Sequence, residues 1–354
     1  MSGTTDSSRT QGNGQTRHPT MQDVARHVGV SRQLVSLVMR GVPGPSEESR
    51  ERIIAAAEAL GYKPNVAARL LRQSRTRLIG VVFAMRNPFQ VRVVERLYEL
   101  AAEAGFGLAL GPLTMDRSAE SVVSELQGER VEAIIAFNPG LNSDSLLEAG
   151  DALPIAWLGE WVHDTRVDNV HVDEIAGLDQ AVQYLQELGH TRITYVGGEG
   201  GRVGADRADA YAAAMRARGL GKHVEIIVSD FSEEGGAEAA RKIGVSDARP
   251  TAVICCGDQC AAGVLAVFAR EGIRVPEDVS VVGFDDSYLA SLSYNALTSV
   301  RQDADATAEA AFAAVVGRLE GTEPPGKVVA TPTELIVRST TAAPGARRVS
   351  GRIG

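Results

Sequence analysis

From residue 78 onward the chain alternates short β-branched runs with amphipathic helical stretches, and this alternation restricts its fold more than any other feature. LIGVVFA (78–84) precedes a helical pattern around 90–104, GLAL (107–110) one at 118–127, and AIIAF (133–137) one at 144–149. PIAWL (154–158) closes this first series. A second series runs from a helix at 175–188 through RITYVGG (192–198), a helix at 206–218, VEIIV (224–228) and a helix at 233–242. It continues through TAVICC (251–256), a helix at 259–271 and VSVVGF (279–284). Alternation of strands with helices at this spacing predicts parallel sheets with helices on both faces. Two such series predict two similar lobes with a cleft between them. The 354 residues leave room for two or three domains.

Residues 20–60 have a different grammar, with three short helical patterns and no strand pattern. In TMQDVARHVGVSRQLVSLVMRG (20–41), Thr20 and Asp23 stand at capping-box spacing. Val24, Ala25 and Val28 form an apolar stripe, and Gly29 supplies a residue tolerant of positive φ where the helix must end. Ser31 caps a second helix whose core side is Val35, Val38 and Met39. Its other face carries Arg32, Gln33 and Ser36. Two helices joined by a short glycine-containing turn form a helix-turn-helix, whose second helix enters the major groove of DNA. Arginine pairs with guanine and glutamine with adenine there. A third helix is expected over 46–62, capped by Ser46 and packed through Ile53, Ile54, Ala57 and Leu60.

Charge follows the same division. The net charge is −9, yet residues 19–77 carry ten Lys and Arg against five Asp and Glu, a net of +5. Residues 1–18 add +1, so the remainder carries −15. A basic head on an acidic body points to a polyanionic partner for the head. No apolar run approaches the roughly 20 residues of a membrane span. Residues 1–18 lack the apolar stretch of a secretory signal, so a cytoplasmic protein is expected. The three cysteines, Cys255, Cys256 and Cys260, are bunched and odd in number, which is no disulfide framework.

The segment YKPNVAARLLRQSRT (62–76) carries a closer likeness. Through Tyr62, Pro64, Asn65, Ala68, Arg69 and Leu71 it resembles the lactose-repressor/galactose-repressor family of bacterial regulators. The likeness continues through RNPF (86–89), VHVDEIAG (170–177), ELGHTRITYVGG (187–198), ADRADAY (205–211), VPEDVSVVGFDDS (275–287) and LTSVRQD (297–303). It implies an N-terminal all-α helix-turn-helix head on an α/β, two-lobed, periplasmic-binding-protein-like body. The implied organisation is a tail at 1–18, the head at 19–64, a hinge helix at 65–76, the body at 77–340 and a second disordered tail at 341–354. Lobe 1 would take 77–172 and 301–331, and lobe 2 would take 173–300 and 332–340. Implied DNA contacts are Thr20, Ser31, Arg32, Gln33, Ser36 and Arg40 in the head, with Asn65, Ala68, Arg69, Leu71 and Arg72 in the hinge. Leu71 would wedge into the minor groove, exchanging unstacking for a bent site with more contacts. Arg75 and Arg77 would suit phosphates. Effector contacts implied by the likeness are Asn87, Phe89, Asp173, Arg207, Phe231 and Asp258. The implied partners are operator DNA, a carbohydrate effector and a second copy of the chain, with no cofactor, metal or membrane.

The sequence also departs from the family pattern. Gly257 stands where Asn usually precedes the acidic residue, Leu37 replaces a frequent Arg, and Arg40 replaces an Asn. Asn295-Ala296-Leu297-Thr298 replaces Pro-Pro-Leu-Thr. Losing the arginine removes a guanine contact, so the operator is expected to differ from the common one. The run GGEGGRVG (197–204) lacks the Gly-Lys-Ser/Thr ending of a phosphate loop. Asp285 and Asp286 resemble a catalytic carboxylate pair, but neighbours in sequence diverge in space. A transport solute-binding protein would share the body but leave residues 20–76 without a role. An α/β enzyme would need a nucleophile, base or cofactor constellation that is not evident.

Overall fold

The computed structural model describes residues 19–39, 41–62, 75–114, 116–139, 144–246 and 249–345. Two compact units emerge, one ending at Thr76 and the other beginning at Arg77. The first contains α1 (Met21–Val28), α2 (Arg32–Met39) and α3 (Glu47–Ala59). The Asp23 carboxylate accepts both the Thr20 backbone N–H at 2.9 Å and its hydroxyl at 2.6 Å, closing the start of α1. Gly29 ends α1 at φ 76°, and Ser31 Oγ accepts the Leu34 N–H at 3.1 Å to start α2. The core is Val24, Ala25, Val35, Val38, Ile53, Ala56 and Ala57, with Met39 and Leu60 partly buried against it. Ile54, expected in this core, is 42% exposed. At 100° per residue the fully buried Ile53 takes the inward direction and turns its neighbour outward.

The second unit holds two six-stranded sheets. The first is built from β1 (Leu78–Ala84), β2 (Gly107–Leu113), β3 (Ala133–Phe137), β4 (Ile155–Leu158), β5 (Asp168–Val172) and β11 (Val328–Thr331). All its pairings are parallel, in the order β11-β5-β4-β3-β1-β2. Its helices are α4 (Pro88–Glu103), α5 (Ala119–Gly128), α6 (Asp144–Ala149) and α12 (Ala304–Leu319). β3 is buried at every position, because helices cover both of its faces. Ile79, Ile135 and Leu97 pack on one side, and Val82, Ile134 and Trp157 on the other.

The second sheet is built from β6 (Ile193–Gly198), β7 (Glu225–Ser229), β8 (Ala252–Cys255), β9 (Ser280–Asp285), β10 (Thr298–Gln302) and β12 (Thr333–Ile336). Its order is β12-β10-β9-β8-β6-β7, and only β12 runs antiparallel. Its helices are α7 (Glu174–Glu187), α8 (Gly201–Ala217), α9 (Glu233–Gly244), α10 (Asp258–Glu271) and the short α11 (Tyr288–Ser291). Helices α9 and α10 touch backbone to backbone: a Cβ on Gly263 would lie 1.9 Å from the Glu233 carbonyl oxygen.

Among the described residues the chain passes between sheets three times: between β5 and α7, between β10 and α12, and between β11 and β12. Thr341 and Ala342, placed in the expected disordered tail, are held on the second lobe. Tyr184 and Thr341 share a hydrogen bond of 2.9 Å, and His190 Nε2 lies 2.8 Å from the Ala342 carbonyl oxygen. Arg77 also departs from expectation. Its guanidinium donates to the Ala104 and Gly105 carbonyls and lies 4.3 Å from the centroid of the Phe106 ring, so it anchors the start of lobe 1. No described helix is long and apolar enough to cross a membrane.

Candidate functional site

Strand ends define the site in the body. Ala84, Phe137, Leu158 and Val172, at the carboxyl ends of β1, β3, β4 and β5, face Phe231, Asp285 and Gln302 from the carboxyl side of the second sheet. Between them lies a cavity of about 350 Å³. Parallel sheets place ligand sites at such ends, because loops diverge there, and the volume suits a small organic molecule.

Arg207 sits at the centre, on α8, and is only 4% exposed. Its Nη1 donates to the Cys256 carbonyl at 2.6 Å and lies 3.6 Å from Asp285 Oδ1. The guanidinium carbon is 3.9 Å from the centroid of the Phe284 ring and 5.5 Å from that of Phe231. A guanidinium clamped in this way offers its remaining donors in a fixed plane, the geometry that recognises hydroxyl and carboxylate oxygens. Asp285 holds φ 112°, in the left-handed region, and accepts the Gln302 amide. Burial pushes its carboxyl up to about 6, against the opposing pull of Arg207 and Gln302. Glu174, the first residue of α7, also lines the cavity. Burial pushes it up to about 7, with Arg207 opposing.

Four residues expected from the sequence share this wall: Asn87, Phe89, Arg207 and Phe231. Asn87 also caps α4, accepting the Gln90 N–H at 3.0 Å. The other two lie off the wall. Asp173 caps α7 through the Ala176 N–H at 2.9 Å, and its backbone joins the crossover through Thr331 and Thr333. Asp258 is fully buried beneath the site. It accepts the Ser287 N–H and the Ser299 hydroxyl, each at 2.6 Å. Burial, with Asp285 nearby, raises its carboxyl to about 7. Its two hydrogen bonds hold the loop after β9 against β10, beneath the cavity.

Sequence reasoning missed Glu174, Asp285, Gln302, Gln90 and Gln259 as wall residues. Asp285 was in view as half of an adjacent pair that diverges. The divergence is real: Asp285 faces the cavity, while Asp286 lies 2.8 Å from Arg301 Nε and 2.6 Å from Arg338 Nη2. Nothing in local sequence tells which of the two turns inward.

In the head, Arg32 and Gln33 are exposed at the start of α2, and Ser36 is half-buried one turn later. Thr20 and Ser31 use their hydroxyls in the caps of α1 and α2. Arg40, Asn65, Ala68, Arg69, Leu71 and Arg72 lie outside the described residues.

Comparison with known proteins agrees with both parts. Residues 20–65 match the family described as bacterial regulatory proteins, lacI family, and residues 182–341 match a periplasmic binding protein-like domain. The HTH-type transcriptional regulator CelR of Thermobifida fusca is 33% identical over 92% of this chain and 98% of its own. The ribose operon repressor of Escherichia coli K12 is 30% identical over 85% of this chain and 93% of its own. A solved structure of a CelR–cellobiose complex is 28% identical, covers 91% of this chain and 99% of its own, and superposes with a TM-score of 0.68. Members so named are transcription regulators. With its capped helix pair, its two-sheet body and this likeness over nearly its whole length, the chain belongs to the lacI family of bacterial regulatory proteins.

Proposed function

We propose that the chain is a sequence-specific transcription repressor, controlled by a small carbohydrate bound between the two lobes of its body. The observation that carries this reading is a single chain holding both parts. A capped helix pair presents Arg32 and Gln33, and a body cavity of about 350 Å³ is ringed by Arg207, Asn87, Gln302, Asp285 and the rings of Phe89 and Phe231. Polar side chains around aromatic faces suit a polyol: hydroxyls donate to carboxylates and accept from amides, and C–H faces pack on rings. Relatives named for cellobiose and ribose support the same class.

The chain acts by binding rather than by catalysis, on DNA in the cytoplasm. Arg32 and Gln33 read base edges in each half-site, and Asn65, Ala68, Arg69, Leu71 and Arg72 form the segment that enters the minor groove. A homodimer matches a near-palindromic operator, since each recognition helix occupies one half-site. Effector binding controls DNA only if the ligand favours one lobe arrangement over another. The three passages of the chain between sheets are where such a change in lobe angle is absorbed.

Thermal shift against a panel of mono- and disaccharides tests the body, because a ligand of the native state raises its melting temperature. The active sugar is then added to a gel shift on an operator selected from random duplexes. The expected result is a changed operator affinity with no change for an unrelated duplex. A sugar that binds tightly while leaving operator affinity unchanged would overturn the control proposed here.

A further inference from the structure

The recognition helix carries one apolar side chain that its own core does not claim among the described residues. Val35 and Val38 of α2 are buried in the head, and Leu34 and Met39 pack partly against them. On a helix of 100° per residue these four share one side. Arg32, Gln33, Ser36 and Leu37 share the other. Leu37 is half-buried and, among the described residues, is not one of those packed on the head's core. An apolar side chain therefore stands on the face that presents Arg32 and Gln33, one turn beyond Gln33. Its backbone carbonyl accepts the Val42 N–H at 3.1 Å, which fixes the turn beneath it.

In the major groove each base pair presents one apolar feature at most, the thymine 5-methyl group. A leucine on the reading face has nothing to donate or accept, so hydrogen-bonding edges held against it would lose water without replacement. The methyl group is the one groove element that gains by contact with it.

Resting on the reading of α2 as the recognition helix, we propose that Leu37 is a specificity-determining residue that contacts the 5-methyl of one thymine in each operator half-site. It selects a T·A pair where a polar residue would select by hydrogen bonds. The gain from one buried methyl corresponds to about fourfold in affinity per half-site, and so about sixteenfold for a dimer on two half-sites.

The test begins with operator selection by the full chain from random duplexes. Each thymine of the selected half-site is then replaced, symmetrically, by deoxyuridine, which removes the methyl and nothing else. One position is expected to weaken binding by about sixteenfold when both halves are changed. In Leu37→Ala that penalty should vanish, so that thymine and deoxyuridine duplexes bind alike. Leu37→Met should retain it, and Leu37→Gln serves as the second methyl-blind variant should the alanine protein fail to fold. Indifference to every thymine methyl, or a penalty that persists in a folded Leu37 variant, overturns the proposal while leaving sequence-specific binding intact. Failure to select any sequence overturns the DNA-reading role of α2 and this inference with it.

Discussion

Asp258 is the residue for which contact and support predict opposite outcomes. Replacing it by alanine strips the acceptor from two buried donors, the Ser287 N–H and the Ser299 hydroxyl, both at 2.6 Å. A buried donor left unmet costs about 1–3 kcal/mol. The Ser299 hydroxyl can rotate, whereas the backbone N–H cannot. Removing a carboxyl that burial has already raised to about 7 returns part of the cost at high pH. The expected loss is about 2–4 kcal/mol. The sign of its pH dependence follows from the raised value. The fold favours the protonated acid, so its contribution is complete below the ordinary 3.8 and is lost as pH rises through about 7. The deficit of Asp258→Ala should therefore be larger at pH 5 than at pH 8. Urea unfolding of the full chain, followed by circular dichroism at both pH values, reads the difference. An alanine variant within about 0.5 kcal/mol of the wild type at both pH values, yet unable to bind a sugar that the wild type binds, would show a contact and refute the supporting role.

Two further outcomes follow from the geometry. Glu174 is raised by burial from 4.5 to about 7, so its ionised form costs stability as pH rises through that window. Glu174→Gln should gain on the wild type by about 1–2 kcal/mol between pH 5 and pH 8, read from denaturation midpoints, and a gain in the opposite direction would contradict the assignment. Gly263→Ala places a methyl 1.9 Å from the Glu233 carbonyl oxygen and must push α9 and α10 apart. A loss of about 1–3 kcal/mol is expected in urea unfolding, and an unchanged midpoint would show that the helices are not in backbone contact.

The sequence reveals the elements whose patterns are strong and hides those that depend on distant partners. β1, β3 and β8 read as strands because apolar runs buried on both faces leave no other reading. α1 and α2 read as helices because Thr20, Gly29 and Ser31 mark their ends. By contrast, β11 and β12 are short strands that pair with residues more than 30 positions away, at β5 and β10, and their own residues carry little pattern. α12 is rich in alanine on several sides, so its apolar stripe is indistinct, although it packs against α4 and the first sheet. The cavity divides in the same way. Arg207 and Phe231 are reachable through the family likeness, whereas Glu174 and Asp285 face inward because α7 begins and β9 ends at the cavity. Asp285 adopts φ 112°, a conformation that the fold imposes and that no residue preference announces. The family likeness implies an effector contact for Asp258, but its two hydrogen bonds direct it beneath the loop.

The claim on which the rest depends is that α2 reads DNA bases. Fluorescence anisotropy titrations of the wild type and of a variant carrying both Arg32→Ala and Gln33→Ala, on the selected operator and on a scrambled duplex at equal salt, address it directly. Both side chains are exposed, so the variant should fold as the wild type does. Two base contacts worth about 1–3 kcal/mol each predict a loss of at least about tenfold on the operator, with a much smaller loss on the scrambled duplex. An undiminished preference for the operator would contradict the account.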